Sequence, residues 1–140
     1  RNLHYNAWKA REANEIDIDR SNVEITHSDS DERWLKRAVA LVCDHLSDPE
    51  FNVDDLCSGL NMSQSTLYRK LKVTAGQSAN EFIQNIRLKY AARLLRETSQ
   101  SISEITFEVG FSDSSYFSRA FRKCFGVSPK QWREQAAPQS

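Results

Sequence analysis

No stretch of about eighteen apolar residues occurs in the 140-residue sequence, so nothing in it reads as a membrane-spanning helix. Thiols are few: Cys43, Cys57 and Cys124 are odd in number and far apart, where disulfide frameworks and metal sites want closely spaced pairs. Each lies in a helical apolar context and reads as an ordinary buried thiol of a reducing compartment. His4, His27 and His45 are equally scattered, none in an H-x-x-x-H type of spacing, and read as solvated or half-buried side chains. Neither a metal nor a cofactor is therefore expected. The four glycines form no phosphate-cradling loop, and neither a nucleophile elbow nor a phosphoacceptor His followed by acid and Pro is present, so an enzyme reading finds no support. The sequence opens at Arg1 with neither a methionine nor a signal-peptide core, which reads as a piece of a longer protein.

Net charge is also absent, but the total hides its distribution. Arg1 to Leu60 carries 7 basic against 13 acidic residues, and Asn61 to Ser140 carries 12 against 6. A basic half of this kind favours a polyanionic partner, whereas a solvated amphoteric surface shows such a split by chance.

The polar start, Arg1 to Asn14, reads as a tail or linker. Glu15 to Thr26 alternates Ile16, Ile18, Val23 and Ile25 around Arg20-Ser21-Asn22, which suits two short extended pieces. From Asp29 onward the pattern is helical throughout. Asp29 with Glu32 reads as a capping box opening a helix to about Ser47, whose Leu35, Ala38, Val39, Val42 and Leu46 form one stripe laid over the next two helices. Asn52 caps a helix over Val53 to Leu60, Asn61 supplies a left-handed turn, and Ser63 caps a second helix to about Thr74, ended by Gly76. Ser78 with Glu81 opens the longest helix, to Glu97, with Phe82, Ile86, Ala91, Leu94 and Leu95 on one face and Arg87, Lys89, Arg93 and Arg96 on another. Ser101 with Glu104 caps a short helix carrying Ile102, Ile105 and Val109. Gly110 turns the chain, and Ser112 and Asp113 start a helix to about Phe125, stopped by Gly126. Ser128-Pro129 begins a last helix to about Gln135 with Trp132 inward, leaving 136–140 as a disordered tail.

Within this pattern lies a repeat. Leu56, Leu60, Asn61, Met62 and Ser63 match Ile105, Val109, Gly110, Phe111 and Ser112 at an offset of 49, and Leu67, Arg69, Leu71, Lys72 and Gly76 match Phe117, Arg119, Phe121, Arg122 and Gly126 at 50. Each copy is a short buried helix, a turn, and a helix with small polar and basic residues on one side, which is how a helix-turn-helix offers side chains to DNA. Successive major grooves on one side of a duplex lie about 34 Å apart. A connecting helix of about twenty residues at about 1.5 Å each spans roughly 30 Å, so one chain could place both second helices in adjacent grooves. The expected fold is all-α, seven helices in two helix-turn-helix subdomains, 53–76 and 102–126, joined by a long central helix, 78–97, within a domain over 29–135; 1–28 is linker.

The segment G-F-S-D-S-S-Y-F-S-R-A-F-R-K-C-F-G-V-S-P-K-Q-W-R, Gly110 to Arg133, with the weaker first copy N-M-S-Q-S-T-L-Y-R-K-L-K, resembles the AraC-type DNA-binding domain of bacterial transcription activators. The resemblance covers about Asp31 to Arg133 and implies the same seven-helix fold. L-Y-R-K-L-K-V-T-A-G-Q-S, E-F-I-Q-N-I-R-L-K-Y-A-A and the preceding I-T-H-S-D-S-D-E resemble further the C-terminal output domains of hybrid two-component regulators. That implies double-stranded DNA and RNA polymerase as partners, an upstream receiver or sensor domain, dimers formed through the parent protein, and a cytoplasmic place of action whether or not the parent is anchored in the inner membrane.

Carried over residue by residue, the resemblance implies base reading by Ser65, Tyr68 and Arg69 in the first unit and by Ser114, Ser115, Ser118 and Arg119 in the second. Arginine can bond guanine O6 and N7 together; small hydroxyls can bond base or phosphate, and Tyr68 could press on a thymine methyl or reach the backbone. Thr66, Lys72, Arg122 and Lys123 are expected at phosphates, positioning without reading. The duller alternatives are that Arg69 and Arg119 pair with glutamates of neighbouring helices, and that the basic face of the long helix is solvated or used within the molecule. Phe117 is expected in the core and Tyr116 partly buried. Leu71 stands where the family's first copy usually has Phe, and Lys70 where a less basic residue is usual. Alkylation-repair proteins join a zinc-bound cysteine module to this domain, but three dispersed thiols cannot build its four-cysteine cluster. The rival reading is a protein-interaction module whose acidic half docks a receiver domain or polymerase, with feeble DNA binding.

Overall fold

The computed structural model describes residues 29–136, and the extended pieces expected at Glu15 to Thr26 lie outside them. Among the described residues the secondary structure is seven helices: α1 (Asp29–Asp44), α2 (Val53–Leu60), α3 (Gln64–Thr74), α4 (Ala79–Glu97), α5 (Ile102–Glu108), α6 (Ser114–Phe125) and α7 (Pro129–Ala136). The all-α expectation holds. Two compact units divide the chain, and the boundary falls inside α4 between Ile86 and Arg87.

Unit one holds α1, α2, α3 and the start of α4. Side chains at three- and four-residue spacing give α1 one buried stripe, Trp34, Leu35, Ala38, Val39, Val42 and Cys43, which packs on α2 and α3. Asp29 is already helical, so it adds to the acidic first turn with Asp31 and Glu32 rather than capping it. The helix also ends at Asp44, short of Ser47, because the His45 amide reaches back only three residues, to the Val42 carbonyl, and tightens the last turn. Asn52 caps α2: its side chain accepts from the Asp55 amide while the Asp55 carboxylate accepts from the Asn52 amide. Asn61 closes the helix at φ 55, a left-handed value that asparagine tolerates. Ser63 caps α3, whose Leu67, Leu71 and Thr74 are buried.

Unit two runs from Arg87 onward and includes the short segment Leu46–Glu50. Ser101 and Glu104 form a reciprocal box at the start of α5, and Ser128 with Gln131 forms another at the start of α7. Phe117, Ala120 and Phe121 of α6 are buried, and an aromatic column continues through Phe125 to Trp132 of α7. Because that column follows the i, i+4, i+8 line, Cys124 sits at its margin and is exposed, not buried as its apolar context led one to expect. Cys43 and Cys57 are buried. The Trp132 indole N–H donates to the Ala92 carbonyl at 3.0 Å, and Arg133 donates to Leu95 and Thr98, so α7 supplies partners for carbonyls at the end of α4.

Most of the basic face of α4 serves unit two itself. Arg93 pairs with Glu97 at 3.1 Å and Arg96 lies over the Trp132 ring. Arg87 is buried and donates to three carbonyls, those of Leu46 (2.5 Å), Asp48 (3.0 Å) and Val109 (2.9 Å). Burial pushes its guanidinium pKa down, opposed by the Asp48 carboxylate. A buried cation survives there because these three bonds are charge-assisted and accepted by backbone oxygen.

Candidate nucleic-acid interface

The two second helices present the same construction. After α2, the Asn61 amide bonds Ser58 and the Met62 amide bonds Cys57; after α5, the Gly110 amide bonds Phe107 and the Phe111 amide bonds Thr106. These closures recur at an offset of 49. The caps do not, because the Ser63 side chain caps α3 whereas Asp113, not Ser112, caps α6 through the Ser115 amide. The register assumed for Ser112 is thereby corrected. The extra residue of the second copy is Ser112 itself, spent in the turn, and from the cap onward the two helices correspond at an offset of 50.

In that register Leu67 and Leu71 face the core as Phe117 and Phe121 do, all fully buried. Opposite them, Ser65, Tyr68, Arg69 and Lys72 of α3 share one exposed face at i, i+3, i+4 and i+7. Ser115, Ser118, Arg119 and Arg122 do the same on α6, with Ser118 half-buried and the others exposed. Ser114 lies exposed in the first turn, and Lys123 is exposed beside Arg122. Phe117 takes the core position as expected, whereas Tyr116 is exposed rather than partly buried, its ring only tilted against Phe111. Neither arginine pairs with a carboxylate among the described residues. The Arg69 guanidinium makes one long contact, 3.5 Å, with the Thr66 hydroxyl, which also accepts from Ser63 at 3.1 Å. The Thr66 hydrogen stays available to an acceptor such as phosphate. Lys72 stands with its ammonium 5.6 Å from the Tyr68 ring centroid.

Three features of the interface were not read from the sequence. Gln64 donates to Asp54 at 2.6 Å, tying the start of α3 to α2 within unit one. Lys70 turns away from that exposed face and lies over the Trp34 ring, 3.8 Å from Asp31, which accounts for a basic residue at that position. Val73 stands exposed one turn beyond Arg69. Only Val73 carried a local signal, an apolar residue at an outward helical position.

A capped, left-handed turn feeding an outward helix with free arginines and hydroxyls, built twice, defines a helix-turn-helix DNA-binding protein. The family model for the helix-turn-helix domain matches residues 56–135. The histidine kinase P4 of Formosa agariphila is 40% identical over 116 residues, 83% of this chain but 8% of that protein. The C-terminal domain of AraT, a response regulator from Geobacillus stearothermophilus, superposes with TM-score 0.68 at 34% identity, over 76% of this chain and 88% of that one. The DNA-binding domain of AdpA, a global transcriptional factor solved with a target DNA, superposes with TM-score 0.64 at 28% identity, over 70% and 87% of the two chains. The chain belongs to the AraC-type helix-turn-helix family of transcription-regulator DNA-binding domains. It spans 8 to 36% of the length of the curated relatives first matched.

Proposed function

We propose that this chain is the sequence-reading output domain of a two-component signalling protein, binding double-stranded DNA through both second helices and activating transcription beside a promoter where it can touch RNA polymerase. The observation that carries the reading is the repeated face of Arg69 and Arg119, each exposed, flanked by hydroxyls and unpaired with any carboxylate among the described residues. Arg69 and Arg119 each read a guanine, the most discriminating single contact in the major groove. Ser65, Tyr68, Ser114, Ser115 and Ser118 contact neighbouring bases, while Thr66, Lys72, Arg122 and Lys123 hold phosphates. The chain itself catalyses nothing in this reading. It acts in the cytoplasm, receives its signal from a receiver or sensor domain upstream, and pairs through the parent protein. The match to a much longer histidine kinase and the likeness to a response-regulator C-terminal domain support that placement.

The test is duplex selection from a random library followed by fluorescence anisotropy at two salt concentrations. Arg119→Ala is expected to relax the choice of one base pair at about 1 to 3 kcal/mol, and Lys123→Ala to weaken all duplexes alike. With about six phosphates held, raising salt from about 50 to 200 mM weakens binding about a thousandfold. If no sequence is enriched, the acidic half as a protein-docking surface becomes the better reading.

A further inference from the structure

The corrected register sets the two reading faces side by side, position by position. Ser65 corresponds to Ser115, Arg69 to Arg119 and Lys72 to Arg122, so hydroxyl, guanidinium and phosphate-range cation are kept. Two outward positions differ in kind: Tyr68 against Ser118, and Val73 against Lys123. In the first unit both are apolar and wet, Tyr68 53% and Val73 58% exposed, although the tyrosine lies between core neighbours Leu67 and Leu71 that are fully enclosed. The Lys72 ammonium stands over the Tyr68 ring at 5.6 Å. It thereby occupies one ring face, restrains the side chain, and leaves the remainder of the ring outward beside Arg69.

We propose that Tyr68 is a thymine reader: its ring packs on the C5-methyl of a thymine next to the guanine bonded by Arg69, and Val73 extends that apolar surface. In the major groove the methyl of thymine is the one apolar feature a base pair displays, so an exposed ring and an isopropyl group on a reading face have that group as their natural counterpart. Lys72 then serves twice, holding the ring in the free protein and reaching the adjoining phosphate in the complex. Ser118, with neither ring nor apolar neighbour, has no such preference. The two half-sites therefore share a guanine and diverge at the neighbouring base, thymine under unit one and an unmethylated hydrogen-bonding edge under unit two. This rests on the proposal that both second helices read bases.

The experiment uses the whole chain and its selected duplex, with each thymine replaced in turn by uracil, which removes the methyl and keeps every hydrogen bond. One thymine is expected to be sensitive, with affinity falling about fourfold, the worth of one buried methyl-sized group. Tyr68→Ser abolishes that sensitivity, Tyr68→Phe keeps it because the ring face and not the hydroxyl is used, and Ser118→Tyr creates a second sensitive thymine in the other half-site. Because Tyr68 is exposed, its two substitutions leave folding intact; Ser118 is half-buried, so Ser118→Tyr is read only where circular dichroism and thermal unfolding match the wild type. A flat uracil scan, or a sensitivity that persists in Tyr68→Ser, overturns the inference. If Arg69→Ala and Arg119→Ala still relax base choice in that case, the inference alone has failed. If neither does, base reading by these helices has failed with it.

Discussion

Two glycines share almost the same positive φ in different surroundings, and replacing each by alanine separates strain from packing. Gly110 has φ +88 and Gly126 φ +81, both values that an L side chain adopts at about 1 to 2 kcal/mol. Around Gly126 a Cβ meets nothing within 4 Å, so Gly126→Ala is expected to destabilise by that amount alone. At Gly110 a Cβ would overlap the Arg87 Nη1 atom and the Leu46 carbonyl oxygen. The guanidinium must withdraw from the Leu46 and Val109 carbonyls, leaving a buried cation short of two of its acceptors, which adds about 3 to 5 kcal/mol. Gly110→Ala should therefore lose about 4 to 7 kcal/mol, enough to unfold a marginally stable unit. Urea unfolding combined with amide exchange in α6 measures both variants. In an Arg87→Met background the two glycine substitutions should draw closer without converging, since the guanidinium has gone but the Leu46 carbonyl oxygen still crowds the added Cβ. Equal losses in the wild-type background would refute the assignment of Gly110 to close approach by Arg87.

The cap register makes a second expectation: Asp113→Ala should cost about 1 kcal/mol of stability by chemical denaturation, whereas Ser112→Ala stays within about 0.5 kcal/mol. The Cys57 thiol gives a third. Burial, helped by the Asp54 carboxylate, raises its pKa above the ordinary 9.0. The folded chain then keeps a proton that the unfolded chain releases, so this contribution is full below the ordinary value and is lost as pH rises from there through the raised value. Unfolding free energy measured across the alkaline range should fall less steeply in Cys57→Ala than in the wild type.

Local signals were legible in the sequence and distant ones were not. The partners at Asn52, Ser63, Ser101 and Ser128 lie three residues along the chain, so their caps, and the starts of the four helices they open, can be read from spacing. Arg87 looked like one more cation on a basic face because its acceptors lie 22 to 41 residues away and are backbone carbonyls, which no side-chain pattern announces. Lys70 looked like a departure in the reading helix for the same reason: Asp31 and Trp34 meet it from another helix. Ser112 misled because serine and aspartate are both good caps and adjacent, and only the hydrogen bond to Ser115 decides between them. At the reading face, spacing identified which residues face outward; it did not show that Thr66 accepts from Ser63 or that Lys72 stands over Tyr68.

The repeat also shows which constraints each position answers to. At 67 and 117, and again at 71 and 121, a large apolar side chain is kept in both copies, because each is fully enclosed and a polar group there would lose its water without gaining a partner. Size still varies with what covers the site. Phe121 has Phe125 on its own helix and Trp132 of α7 to meet, while α3 is covered by α1, whose stripe is largely aliphatic, and carries Leu71. On the outward side no such constraint acts, since an exposed substitution changes stability by only about 0.5 kcal/mol. Arg69 and Arg119 agree there although both are exposed, while Tyr68, exposed, stands against Ser118, half-buried. Agreement at 69 and 119 with divergence at 68 and 118 supports the proposal that the two helices read related but unequal DNA sequences.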